Sequence, residues 1–279
     1  MGSVRPRGSR GVGRVAATAY GMSMFQAVAT RFRALAPPAS ACSYCALRLV
    51  EERSERISVR QNVAQPVSDT TDVGAMVTVF HAGGYGYAAT SDLSESGLAL
   101  AVRRAQAWAA QTAPLSVDYH GLELPHAVGN YRSRVERDWG SIGLADKIEL
   151  LMRLNHALKV HEAIVDWEAT LWKMEARTLL VTNGGGEVFR DLHLLSSRLV
   201  VVANQGSNTQ SRSTGSFDKA QQGGLEVLDR VGFESIAGPL TDDVMALLHA
   251  PNCPSDKRAL VLAPDQMMLQ IHESIGHPL

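Results

Sequence analysis

Cysteine is scarce in this chain: Cys42, Cys45 and Cys253 are the only three in 279 residues. An odd number without a secretory signal peptide argues against structural disulfides and for a reducing, cytoplasmic compartment. Cys42-x-x-Cys45 has the spacing of a zinc knuckle or redox pair. No second such pair or nearby histidine cluster accompanies it, so the expectation is two small residues on a helix beside Tyr44. Excess charge is also missing, with 27 Lys and Arg against 28 Asp and Glu, which leaves no global field to attract nucleic acid or an anionic membrane. No apolar run reaches the roughly 18 residues needed to span a bilayer. Phosphate-binding loops are absent as well. Gly83-Gly84 and Gly184-Gly185 do not stand in the glycine order that precedes a nucleotide-binding helix, and they read as hairpin turns. These absences point to a soluble globular protein.

Acidic residues are missing before Glu51, while Arg5, Arg7, Arg10, Arg14, Arg31, Arg33 and Arg48 lie within the first fifty positions. That composition suits an organelle transit peptide. It equally suits a translated upstream region with Met22 or Met24 as the true start, the reading favoured here. Residues 1–22 are therefore expected to be a disordered extension. Phe25, Val28, Phe32 and Leu35 then suit a short helix from Ser23, stopped by Pro37-Pro38.

The body, residues 23–279, reads as α+β, with antiparallel sheets and packed helices. A helix is expected over residues 41–52, and strands over 57–67, 73–80 and 85–90, with Ser68-Asp69-Thr70 and Gly83-Gly84 as turns. Ser91-Asp92 caps a helix carrying Leu98, Val102, Ala105 and Trp108. Residues 111–140 read as loop. A strong helix spans residues 144–158. Strands follow at 163–172, 175–182, 188–203 and 207–213, the second and third joined through Asn183-Gly184-Gly185-Gly186, a turn suited to positive φ. Helices near 220–230 and 241–249, the latter capped by Thr241, lead to the C-terminal end. Arg258–Ala263 reads as a buried strand broken by Pro264-Asp265. Asp265 is the expected N-cap of a helix from Gln266, striped by Met267, Met268, Ile271 and Ile275.

That helix carries His272-Glu273-Ser274-Ile275-Gly276-His277, two imidazoles and a carboxylate in six positions. Two neutral imidazoles can share a zinc ion, and an adjacent Glu can act as base on water. The familiar zinc-protease spacing is H-E-x-x-H, with the histidines at i and i+4. Here they stand at i and i+5, which diverge by about 140° on a straight helix. A π-bulge or loosened last turn would bring them together, and Gly276 permits it. Pro278 has no N–H to return to Ser274, which favours the irregularity. The bland alternative is a helix end with a surface Glu and a dipole-favoured His. His81, His120, His126, His156, His161, His193 and His249 read as surface or satisfied histidines, and Trp139, Trp167 and Trp172 as core or hairpin aromatics.

The strand–turn–helix order around this motif resembles the TldD/PmbA family of metallopeptidases. So do Gly83-Gly84-Tyr85-Gly86-Tyr87-Ala88-Ala89-Thr90-Ser91-Asp92-Leu93 and Thr182-Asn183-Gly184-Gly185-Gly186-Glu187-Val188. The resemblance runs from about Tyr44 to the end. It implies that His272 and His277 bind zinc and that Glu273 is the catalytic glutamate of a TldD-type subunit. It implies unfolded peptides or short proteolytic products as substrates, reached inside a homo- or heterodimer with a TldD/PmbA-type subunit. It also implies a third ligand, a Cys in a C-terminal β domain beyond residue 279. This chain stops two residues after His277, so residues 23–279 match an N-terminal part truncated before that domain. Residues 1–279 alone are expected to bind zinc weakly and to lack peptidase activity. Cys253 could substitute only if its loop, Pro251-Asn252-Cys253-Pro254, folded back. Two function classes stay open: a zinc metallopeptidase chain, and a non-catalytic peptide-binding or assembly subunit.

Overall fold

The computed structural model describes residues 12–38, 40–115, 124–214 and 220–277, with the backbone alone for 12–23 and 265. The chain forms two compact units: Met1–Ser54, Asp69–Ser133 and Met174–His193 in the first, and Glu55–Ser68, Arg134–Lys173 and Leu194–Leu279 in the second. Three long strands, β1 (Tyr44–Arg60), β6 (Ile164–Thr182) and β7 (Glu187–Gln205), contribute a segment to each. The class is α+β with a large antiparallel sheet, as the sequence suggests.

In the first unit, β3 (Ser68–His81), β4 (Gly84–Thr90) and β5 (Val128–Arg132) complete the strand order β4-β3-β1-β6-β7-β5. Helices α1 (Val12–Leu35) and α2 (Glu95–Thr112) pack with this sheet. Its core draws on Phe25, Val28 and Phe32 of α1, Leu98, Val102 and Ala105 of α2, and Leu47, Leu49, Val77, Val79, Leu179 and Val181 of the strands. Phe25 meets Phe189 edge to face at 5.6 Å. Ser94 caps α2 by accepting from the Gly97 N–H at 3.2 Å. The helix lies so close to β4 that a Cβ on Gly84 or Gly86 would overlap the Ala109 or Ala105 carbonyl oxygen.

In the second unit, β2 (Val63–Ala64) pairs with β1, and both β8 (Asn208–Thr214) and β9 (Gln221–Gln222) pair with β7. Its helices are α3 (Leu144–Leu158), α4 (Glu226–Arg230), α5 (Ala237–His249) and α6 (Pro264–Ile271). The core gathers Leu151, Leu154 and Leu158 of α3 with Leu240, Val244 and Leu248 of α5, over Ile57, Ile164, Leu171, Leu199 and Val201. Trp139 is buried there, donating from Nε1 to Glu55 at 2.8 Å, with the buried Lys147 ammonium 4.0 Å from its ring centroid. Asn155, fully buried, donates to the Val59 carbonyl and accepts from the Asn62 N–H. Gln61 and Asn62 form the turn after β1 with φ of 51° and 60°.

Several elements differ from the sequence reading. Residues 44–52 are strand, not helix, because Cys45, Leu47 and Leu49 all enter the core with period two. Ser68–Thr70 begin β3 rather than forming a turn. β6 runs unbroken through Lys173-Met174, a pair with no turn chemistry. Residues 128–132, read as loop, pair in parallel with Glu187–Asp191. Trp108 lies on the exposed side of α2. Thr241 lies inside α5, donating its hydroxyl to the Gly238 carbonyl, so it is no cap. Helix α1 is described from Val12, and residues 1–11 and His120 lie outside the described residues. No helix among the described residues is long and apolar enough to cross a membrane.

Candidate metal centre

Helix α6 starts at Pro264, whose missing N–H costs nothing at a first helical position. Ala263 is the N-cap, so Asp265 is not. The expected strand at 258–263 does not form. Leu260 and Val261 are 80% and 92% exposed, and no partner strand is offered to them among the described residues. Met267, Met268, Ile271 and Ile275 of the helix are likewise exposed rather than packed.

After Ile271 the helix widens into a π turn over His272–Gly276. The His277 N–H donates to the His272 carbonyl at 3.1 Å, an i to i+5 bond. One extra residue per turn brings i and i+5 onto one side, and the two imidazole centroids stand 4.5 Å apart at 63°. Glu273 Oε2 lies 3.7 Å from His277 Nε2. One ligand atom from each of His272, Glu273 and His277 falls within 4.8 Å of the others, all three residues exposed. Gly276 leaves room for this arrangement, since a Cβ there would approach His272 Nδ1 to 3.3 Å. Gln270 adds a bond to Ser274 Oγ at 2.8 Å along the same turn. Two imidazoles and a carboxylate form a donor set suited to a borderline divalent ion such as zinc.

The other candidate ligands do not join this cluster. Cys42 and Cys45 are buried, and burial raises both thiols, Cys45 to about 12 with a further push from Cys42. Thiols held protonated in this way are poor ligands and poor redox groups. Cys253 is exposed in its loop. His126 donates to or accepts from Thr182 Oγ1 at 2.7 Å and stacks on Tyr44, a satisfied histidine.

A second ionisable cluster was not legible from sequence. Inward positions on three strands of the first unit change from apolar to charged: Leu49 gives way to Glu51 and Arg53, Leu179 to Arg177 and Glu175, Phe189 to Asp191 and His193. His193 lies between Asp191, 3.1 Å away, and Glu175, at 3.5 Å. Arg177 lies 3.2 Å from Glu51, and Arg132 2.9 Å from Asp191. The two carboxylates raise His193 to about 9, and His193 lowers Asp191. The period-two register of these strands is the signal for it, and a helix over residues 41–52 hides that register. The ion pairs hold these strands together, although Arg53 Nε and Asp191 Oδ1 are buried without a hydrogen-bond partner among the described residues.

Residues 45–109 match the family model described as PmbA/TldA metallopeptidase domain 1. The chain is 25% identical over 234 residues to a metalloprotease of Methanothermobacter thermautotrophicus, covering 84% of this chain and 50% of that protein. A metalloprotease of Methanocaldococcus jannaschii is 21% identical over 247 residues, with 84% and 51% covered. The chain thus spans about half the length of the curated relatives it matches. A Thermotoga maritima protein described as a modulator of a DNA gyrase shares the fold with a TM-score of 0.60 at 14% identity, over 83% of this chain and 50% of that one. TldE from Thermococcus kodakarensis gives 0.52 at 16% identity, over 74% and 45%. Those two likenesses concern fold alone.

Proposed function

The chain belongs to the TldD/PmbA family, and from that premise we propose that it is the catalytic chain of a zinc-dependent peptidase. The observation that carries the reading is the π turn that draws the donor atoms of His272, Glu273 and His277 within 4.8 Å of one another. His272 and His277 would hold the ion, which when bound would supply Lewis-acid activation of water and of a peptide carbonyl. Glu273 accepts the proton of the attacking water at its carboxylate and returns it to the departing amine. Unfolded peptides or short proteolytic products, handled within a dimer of TldD/PmbA-type subunits in the cytoplasm, are the substrates and setting proposed.

The test measures zinc content beside peptide cleavage in the full-length protein. Glu273→Gln should keep the ion and lose cleavage by about 10²–10⁴-fold, because an amide cannot take up the proton. His272→Ala and His277→Ala should lose both. Normal cleavage by Glu273→Gln would refute the role of Glu273. A full-length wild type that holds no zinc would favour the peptide-binding or assembly subunit instead.

A further inference from the structure

The outer edge of β4 carries an inference independent of the metal reading. In an antiparallel pair, opposed residues alternate between those bonded across the ladder and those whose N–H and C=O point away. Tyr85 points away from β3: its N–H donates to Thr112 Oγ1 at 3.1 Å, and its carbonyl accepts from the same hydroxyl at 2.6 Å. Tyr85 opposes Phe80, Tyr87 opposes Thr78 and Ala89 opposes Met76. Tyr87 and Ala89 therefore share the outward orientation of Tyr85. Thr112 closes the edge at Tyr85, but β4 ends the strand order among the described residues, and no strand meets Tyr87 or Ala89. Exposed edges are commonly protected by charge, proline or a bulge. Gly84–Thr90 contains no charged residue and no proline.

The surroundings of this gap are selective. Tyr87 and Trp108 are 57% and 56% exposed. Gly84 lies against Ala109 and Ala113, and Gly86 against Ala105, Ala109 and the Trp108 Cβ. Helix α2 thus retreats one turn for every two residues that β4 advances. Arg104, exposed and one turn before Trp108, lies within about 40° of it around the helix, which sets it beside Ala88. We propose that the Tyr87–Ala89 edge docks an extended polypeptide segment by strand addition, with Arg104 selecting an acidic side chain and Tyr87 and Trp108 flanking apolar ones. A second copy fits less well. Two-fold pairing about Ala88 would bring the two Arg104 side chains together, and β4 offers no acidic residue to answer them.

The test uses two blocked peptides, Thr-Val-Glu-Val-Glu-Val-Thr and Thr-Val-Lys-Val-Lys-Val-Thr, with amide exchange read residue by residue. The Glu peptide should slow exchange at Tyr87 and Ala89 and bind at least about tenfold more tightly than the Lys peptide, the size expected of a close charge pair. Arg104→Glu, a surface change, should reverse that order. Ala89→Pro removes only an outward N–H and spares the ladder to β3, so it should weaken binding about tenfold or more with the fold intact. Equal binding of the two peptides to the wild type, or an unchanged preference in Arg104→Glu, overturns the proposal. So does protection of Tyr87 and Ala89 that rises with protein concentration in the absence of peptide, which would assign the edge to a second copy. None of these outcomes depends on zinc.

Discussion

A Cβ built on Gly276 would stand 3.3 Å from Nδ1 of His272, tight enough that the ring must move. Gly276→Ala should therefore weaken zinc binding by about three- to tenfold, allowing up to about 1.4 kcal/mol for a displaced ligand, while thermal stability changes little at this exposed turn. Zinc affinity equal to wild type would show that the ring accommodates the methyl. His193 allows a prediction with a definite sign. Its pKa is raised in the fold from 6.5 to about 9, so its stabilisation is complete below about pH 6.5 and is lost as pH rises through about 9. Asp191 is lowered, so its contribution is present above the ordinary carboxylate range and is lost as pH falls through the depressed value. His193→Gln should cost about 2 kcal/mol at pH 7, and denaturant titrations should show the deficit shrinking above pH 9. A deficit independent of pH would mean that packing, not charge, holds His193. The motif residues were legible because an i, i+5 histidine pair admits few local geometries. The buried charges were not, because no single strand reveals which neighbours answer its Glu or Arg.

Elements were legible where periodicity and caps agreed. Helix α3 spans Leu144–Leu158 as expected: Leu151, Leu154 and Leu158 recur at helical spacing, and the Asp146 carboxylate accepts from the Gly143 N–H. The hairpin at Asn183–Gly186 also forms, with Gly185 at φ 89° and Asn183 tying it to Cys45 N–H, Cys42 O and Pro37 O. Short apolar runs misled in both directions. Residues 44–52 alternate into a core supplied by distant strands, whereas residues 258–263 meet no strand among the described residues. Tertiary partners decided both cases, and they are invisible in a local window. Gly86→Ala tests the α2–β4 approach. Its methyl would overlap the Ala105 carbonyl, so the variant should lose about 3 kcal/mol or more by forcing helix and strand apart. An unchanged melting temperature would contradict the close approach.

At the scale of the whole molecule, two apolar cores account for the fold. The motif itself lies outside both cores, on a helix whose apolar residues are exposed. Glu226 shows the opposite arrangement. Burial opposes its charge, yet the Gly224 and Arg137 backbone N–H groups donate to it and hold it at about 2, fixing the loop before α4. The measurement that bears most directly on the account is a chelator-competition zinc titration of residues 1–279, repeated on the His272→Ala/His277→Ala double variant. The account predicts one weakly held zinc ion per chain in the wild type and none in the double variant at the same free zinc. Equal zinc binding by the two proteins would place the ion elsewhere and contradict the central claim.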